Sequence, residues 1–144
     1  MQINKSAPTY WDWQVTVCFY VGVHVVNAHI AKVGNLHYHT HEAVKNVLNP
    51  FNTLSICKLP EPIYLDYEKL EGLSRRSRYL CNETAPSQSV EKSHATYDKH
   101  FAKSIKCLDR VLVHFNGLYS IGFGGYEISC VELKKTPLSL FKIK

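Results

Sequence analysis

Three groups of side chains in this sequence have types and spacings that could do chemistry, and the first is made of histidines. His37, His39 and His41 follow an H-x-H-x-H pattern. Three imidazoles and a water molecule can complete the coordination of zinc, and in a strand these side chains would share one face. They stand directly before a predicted helix, however, for which Thr40 is a suitable N-cap. We therefore predict a polar loop here and no metal site.

The second group is basic and consists of Arg75, Arg76 and Arg78, followed by Tyr79. Guanidinium groups bind phosphate, and an aromatic ring can stack on a base. This group is therefore the candidate for nucleotide or RNA binding. A structural explanation is also open, because the same segment begins with acidic residues. Acid at the start of a helix and base at its end both interact favourably with the helix dipole.

The third group is Arg110 and His114, which are four residues apart in a strongly periodic segment. At that spacing two side chains lie on the same face of a helix. This face is roughly opposite the apolar stripe of the segment, so we expect both side chains to point toward solvent or a dimer partner. Asp109 and Lys106 nearby are equally consistent with a solvated basic surface.

Four segments with helical periodicity must position these groups: residues 11–33, 40–49, 60–80 and 90–116. In the first segment, steps of three and four predict a buried stripe that includes His24, for which we expect a hydrogen-bond partner in the core. Gly34 is expected to take the left-handed conformation that ends this helix. The residues of that stripe are Trp13, Val17, Tyr20, His24, Ala28 and Ala31.

The fourth segment has the most regular pattern, and it predicts a long helix that ends at Gly117. After it, residues 122–125 (GFGG) predict a turn, and Tyr126 to Leu133 has strand-forming residues without clean alternation. We interpret this tail as a short strand or hairpin, or alternatively as an extended arm. The apolar stripe of the fourth segment consists of His94, Tyr97, Phe101, Ile105, Leu108, Leu112 and Phe115.

Composition narrows the class of protein. A chain of 144 residues with 45% hydrophobic and 20% charged residues fits a single globular domain. The longest nearly apolar run, Val15 to Val26, is shorter than the roughly twenty residues of a membrane-spanning helix. The N-terminus lacks the pattern of a secretory signal. The five cysteines include no C-x-x-C motif, so we expect reduced thiols and no cofactor. From the apolar run and the N-terminus we expect a cytoplasmic location and no membrane contact.

The sequence resembles the HEPN-domain family of nucleotide-binding helical proteins. Phe19, Tyr20 and His24 are similar to the family's aromatic pair and histidine on the first helix, and residues 40–42 (THE) are similar to the start of its second helix. Residues 64–80 resemble the third helix of the family, through the positions Leu70, Leu73, Arg75 or Arg76, and Tyr79. The resemblance covers residues 11–117, and residues 118–144 lie outside it.

This resemblance implies an all-α, up-and-down four-helix bundle that forms one domain with the tail over residues 1–144. It implies a homodimer, or a partner such as a nucleotidyltransferase or an antitoxin, and a nucleotide or RNA as ligand. Ribonuclease members have an arginine and a histidine with four to six residues between them; the histidine transfers protons while the arginine holds the phosphate. Here Arg110 and His114 have three residues between them, so we expect a non-catalytic binding module. The alternatives are a metal-independent endoribonuclease that uses this pair, and a structural helper.

Overall fold

The structure, a computed structural model, describes residues 10–79 and 98–144. These ranges are mostly helical, as predicted, and α1 packs against both α3 and α4. By length and composition α1 could cross a membrane, and 44% of its most apolar stretch is buried inside the fold. The elements of the described ranges are α1 (Trp11–Gly34), α2 (His41–Leu48), α3 (Glu61–Tyr79), α4 (Asp98–Tyr119), β1 (Tyr126–Ile128), a 3-10 helix (Val131–Leu133) and β2 (Phe141–Ile143).

Helix α1 buries the face opposite to the one that we predicted. Trp13 is 68% exposed and Val17 is 53% exposed, and the predicted core residue His24 is also exposed. Because α1 is apolar on nearly every side, its periodicity fits either face equally well. Gly22 resolves the ambiguity, since a Cβ added there would already touch Leu70 of α3 at 3.4 Å. The side that packs against the other helices carries Val15, Phe19, Val23, Val26 and Ile30.

The end of α1 also differs from the prediction by one residue. Asn35, and not Gly34, has the left-handed backbone (φ 50°, ψ 39°), and its N–H donates to the carbonyl oxygen of Ala31 at 3.0 Å. Gly34 is instead a site of close approach, because an added Cβ would lie 2.9 Å from Sγ of Cys57. The glycine therefore lets the chain before α3 pack closely on the end of α1.

The other helices follow the predicted segments, except that α4 does not end at Gly117 as predicted. It continues through this residue to Tyr119, because a single glycine lowers helix stability by only about 1 kcal/mol. Thr40 caps α2 by accepting a hydrogen bond from the N–H of Ala43 at 3.2 Å. In α3 the side chains of Tyr67 and Leu70 are fully buried. The α4 stripe is confirmed from Phe101 to Phe115, whereas its first two predicted members lie outside the described residues.

The tail folds against α4 with two short strands that pair in parallel. The predicted short strand is therefore confirmed, whereas the hairpin alternative is not. Strand β1 pairs with β2, and the 3-10 helix lies between them in the chain. Asp109 of α4 holds the second strand, because its carboxylate accepts the N–H groups of Ser139 at 3.1 Å and Leu140 at 2.8 Å. Our interpretation of Asp109 as part of a solvated surface is therefore wrong, since its side chain is buried.

Candidate functional site

Arg110 links α4 to α3 through an ion pair with Asp66. Its Nε and Nη2 atoms donate to the two carboxylate oxygens of Asp66 at 2.7 and 2.6 Å. The Arg110 side chain is 54% exposed, whereas that of Asp66 is 12% exposed. The hydrogen bond that the Arg110 guanidinium donates to Asp66 raises the pKa of Arg110. A two-bond contact of this kind orients the guanidinium as well as neutralising the buried carboxylate.

His114 lies one turn further along α4 and is half-buried. Its ring meets the ring of Phe115 edge-on, with 5.1 Å between the centroids. Burial lowers the pKa of His114, and the nearby charge of His29 lowers it further. Arg110 therefore reaches the surface beside His114 as predicted, but part of its hydrogen-bonding capacity goes to Asp66.

The arginine cluster at the end of α3 is divided between surface and packing roles. Arg78 donates from Nη1 to the hydroxyl of Tyr20 at 3.4 Å, with its guanidinium 5.9 Å from the centre of that ring. Arg75 is exposed, whereas Arg76 is half-buried. The Tyr79 side chain lies outside the described residues. The cluster thus contacts the exposed side of α1, which the sequence did not suggest.

The histidines of the H-x-H-x-H pattern do not converge on one point. The rings of His37 and His39 meet edge-on with 5.0 Å between centroids. His41 lies instead against Phe19, at 5.2 Å. Within residues 10–79 and 98–144, no group of three His, Cys, Asp or Glu side chains could hold a metal ion.

A buried histidine that our sequence analysis did not single out, His29, joins three parts of the chain. Its Nε2 lies 3.0 Å from the carbonyl oxygen of Cys57, and its Nδ1 lies 2.6 Å from the hydroxyl of Tyr119. Because a carbonyl oxygen only accepts, Nε2 carries the proton and the Tyr119 hydroxyl donates to Nδ1. Burial lowers the pKa of His29, which favours this neutral form. In the sequence, the apolar stripe of Val15, Phe19, Val26 and Ile30 could have indicated that the face of α1 that carries His29 is buried.

A groove of about 330 Å³ opens beside His29, between α1 and the end of α4. The ammonium of Lys32 lies 5.0 Å from the centre of the Tyr119 ring, at a distance typical of cation–π contacts. Among the described residues no carboxylate lines the groove, and the ionisable groups in its wall are two histidines, a lysine and a phenol. The lining residues are His24, Val25, Ala28, His29, Lys32, Phe115, Tyr119, Ile121 and Phe123.

Asn116 holds the tail side of this groove in place. Its side-chain amide donates to the carbonyl oxygen of Phe123 at 2.8 Å and accepts the N–H of the same residue at 2.9 Å. Two bonds to one residue fix the backbone that carries the Phe123 ring. The groove is therefore lined by a positioned aromatic side chain as well as by Lys32, and its composition suits a flat, anionic ligand.

A second groove of about 320 Å³ continues along the same side of α1 toward its N-terminus. Its walls include Trp13, Val17 and Val21 of α1, Phe101 of α4 and Phe141 of β2. Unlike the first groove, it is lined by no charged side chain. It extends the apolar surface of α1 and offers nothing that would orient a polar ligand.

No protein-family model matches the chain, and no curated protein and no solved structure matches it either.

Proposed function

We propose that this protein is a non-catalytic, HEPN-like binding module that holds a nucleotide, or one nucleotide of an RNA strand, beside His29. The proposal includes the up-and-down bundle and the cytoplasmic setting that the resemblance and the composition suggest. The observation that carries it is the groove itself, in which the Lys32 ammonium stands over the Tyr119 ring and no carboxylate of the described residues is present. Such a groove favours a ligand with an aromatic part and a negative charge.

The two parts of a nucleotide have separate contacts in this groove. The phosphate is attracted to Lys32 and to the imidazole of His24 at the rim. The base meets the rings of Phe123 and Tyr119, and stacking on an aromatic side chain contributes about 1–3 kcal/mol per base. The formal net charge of +5 favours approach of a polyanion.

A titration of the purified chain with AMP and with a short single-stranded RNA tests this function. We expect saturable shifts of groove resonances in NMR spectra, weaker binding at higher salt and at least about tenfold weaker binding for Lys32→Ala. Lys134→Ala, at an exposed lysine beside the 3-10 helix, is the matched control. Equal binding by Lys32→Ala and wild type, or no shift at millimolar AMP, contradicts the proposal.

The arginines of α3 give a second comparison. If Arg75→Ala weakens RNA binding while leaving AMP binding unchanged, the strand extends from the groove toward the end of α3. If Arg75→Ala weakens AMP binding more than Lys32→Ala does, the nucleotide site is at the arginine cluster and the groove assignment is wrong. Arg75 suits this comparison because it is exposed.

The second candidate function is a metal-independent endoribonuclease. It is favoured by the position of Arg110, which is half exposed on the same side of α4 as His114. The lowered pKa of His114 suits a proton acceptor near neutral pH. RNA incubated with the protein and a chelator is the test. Cleavage that is lost in His114→Ala and kept in His24→Ala establishes the nuclease, whereas no cleavage by folded wild type argues for the binding module.

A further inference from the structure

The exposed side of α1 is an apolar stripe, which we call the α1 stripe: Trp13, Val17, Tyr20, His24, Ala28 and Ala31. These are the residues that our sequence analysis placed in the core, and all six are exposed. Their spacing of three and four keeps them on one line along the helix. A helix that is apolar on all sides is usually buried on all sides, but α1 is covered only by α3, α4 and the tail. Within the described residues, its second apolar side is exposed along most of its length, and Arg78 of α3 contacts it at Tyr20.

Charge is confined to the two ends of this helix. The first turn carries Asp12 and the last turn carries Lys32. Between them α1 has no Asp, Glu, Lys or Arg. The α1 stripe is thus about 27 Å long, at 1.5 Å per residue, and none of its own side chains carries a formal charge that burial would have to desolvate. A charged side chain that lies beside it is that of Arg78 of α3, whose guanidinium lies 5.9 Å from the centre of the Tyr20 ring.

The size of the side chains changes steadily along the stripe. Trp13 is at one end, Tyr20 and His24 are near the middle, and Ala28 and Ala31 are at the other end. Distances along the helix are symmetric about Gly22: Trp13 and Ala31 are equally far from it, and so are Tyr20 and His24. When two copies of such a surface pack antiparallel, the large side chains of one copy lie over the small side chains of the other, so the surface is complementary to itself.

We propose that the α1 stripe pairs with the same stripe of a second copy, antiparallel, across a two-fold axis level with Gly22. In this arrangement Trp13 of each copy packs over Ala31 of the other. Tyr20 lies opposite His24, and Val17 faces Ala28 with an offset of one residue, since these two lie five and six residues from Gly22. The large side chains of one helix enter the space above the alanines of the other, which is the packing that helix interfaces need.

The end charges select this direction over a parallel pair. Antiparallel α1 helices bring the end that carries Asp12 beside the end that carries Lys32 of the second copy. A parallel pair would place like charges together and would align the two helix dipoles unfavourably. The apolar groove beside Trp13 and Val17 widens the available contact surface on the α4 side of the helix.

This interface goes beyond the proposed function, since the groove beside His29 belongs to a single chain. The two features are neighbours, because His24 and Ala28 belong to both the α1 stripe and the groove wall. In the dimer, the N-terminal half of the second α1 helix runs along the rim of each groove. Phe123 lies on the tail side of the groove, so Phe123→Ala tests ligand binding without touching the stripe.

Analytical ultracentrifugation of the full chain over a range of concentrations tests the dimer. We expect a dimer for wild type and about a hundredfold weaker association for Val17→Lys and for Ala28→Glu, because each change buries an unpaired charge twice across the axis. Val131→Lys, at a 71% exposed valine outside α1, is the matched control and should remain dimeric. Circular dichroism checks that every variant is folded.

Combining the two charged substitutions in one chain tests the antiparallel direction and the register of the proposed dimer. The double variant Val17→Lys/Ala28→Glu should dimerise again, because each lysine then faces a glutamate of the other copy. An equimolar mixture of the two single variants should form a heterodimer for the same reason. A double variant as monomeric as the single ones overturns the antiparallel register.

Other results also overturn the proposal. A monomeric wild type, or a dimer that Val17→Lys leaves intact, shows that the α1 stripe is not the interface. A monomer that sediments with vesicles of phosphatidylcholine and phosphatidylglycerol, and loses this property in Val17→Lys, shows that lipid covers the stripe instead.

Loss of AMP binding by Phe123→Ala in a dimer that persists separates the two features, since the interface is then independent of the ligand.

Discussion

The hydroxyl of Tyr119 lies 2.6 Å from Nδ1 of His29, and this contact joins the last residue of α4 to the C-terminal part of α1. The other nitrogen of the same ring binds the carbonyl oxygen of Cys57, in the segment between α2 and α3. One imidazole therefore holds together three parts of the chain that are far apart in sequence. It also forms part of the groove wall in which we propose that a nucleotide binds.

Removing the hydroxyl in Tyr119→Phe should destabilise the protein by about 1–2 kcal/mol, because Nδ1 of the buried His29 loses its hydrogen-bond donor. The measurement is urea unfolding at pH 7.5. Tyr126→Phe, at an exposed tyrosine in β1, is the control and should change the free energy of unfolding very little. Equal stability of Tyr119→Phe and wild type would mean that water replaces the hydroxyl at no cost.

Stability should fall as the pH drops below about 6.5. The pKa values of His29 and His114 are lowered by burial in the folded chain. Above pH 6.5 both groups are neutral whether folded or unfolded, so they do not affect stability. Below it the unfolded chain binds protons that the folded chain resists, and each histidine reduces the free energy of unfolding by up to about 1.4 kcal/mol per pH unit until its folded pKa is reached.

Denaturant unfolding between pH 7.5 and 5.5 measures this slope. His114→Ala should reduce the slope by about half, because one of the two titrating groups is gone. Val131→Ala, at an exposed valine outside α1, is the control and should leave the slope unchanged. A wild-type stability that is flat over this range would contradict the burial of both rings in their neutral form.

Asp109→Asn should loosen the tail without unfolding the helices. The carboxylate accepts two backbone N–H groups at the start of β2, and a neutral amide accepts them less strongly. We expect about 1–2 kcal/mol of destabilisation and faster hydrogen exchange at Leu140 and through β2. Glu132→Gln is the matched control at an exposed carboxylate. Unchanged exchange in β2 would show that packing alone holds the strand.

Arg110→Ala should cost about 1–2 kcal/mol, mainly because it leaves the carboxylate of Asp66 buried without its partner. The Asp66→Asn/Arg110→Ala double variant should be less destabilised than the sum of the two single changes. Urea unfolding of the three variants measures the coupling. Additive effects would show that the ion pair is too solvated to stabilise the contact between α3 and α4.

Helix positions could be predicted because their signals are local. Thr40 caps α2, Pro60 precedes α3, and the stripe from Phe101 to Phe115 repeats at the helical period; each of these needs only neighbouring residues to act. The arginine and histidine groups were recognisable for the same reason, since their spacing on one helix determines which side chains share a face. None of these local signals states which other segment a face will meet.

The face that α1 buries is the clearest case of a choice that local sequence leaves open. Both sides of this helix are apolar, so hydrophobicity alone gives no preference. The close approach of α3 at Gly22 and the hydrogen bonds of His29 with Tyr119 and Cys57 require one orientation. His29 thereby takes the buried position that periodicity predicts for His24, which is exposed.

The chain thus carries its helix limits, caps and charged groups in short stretches, because propensity, capping and periodicity act over a few residues. Its candidate groove, the pairing of Arg110 with Asp66 and the docking of the tail on Asp109 arise only when distant segments meet. The local sequence does not determine whether a polar side chain such as Asp109 is buried or solvated. Its burial depends on hydrogen-bond partners that lie some thirty residues away. The groove, the ion pair and the attachment of the tail therefore depend on contacts between distant segments, which only the tertiary structure provides.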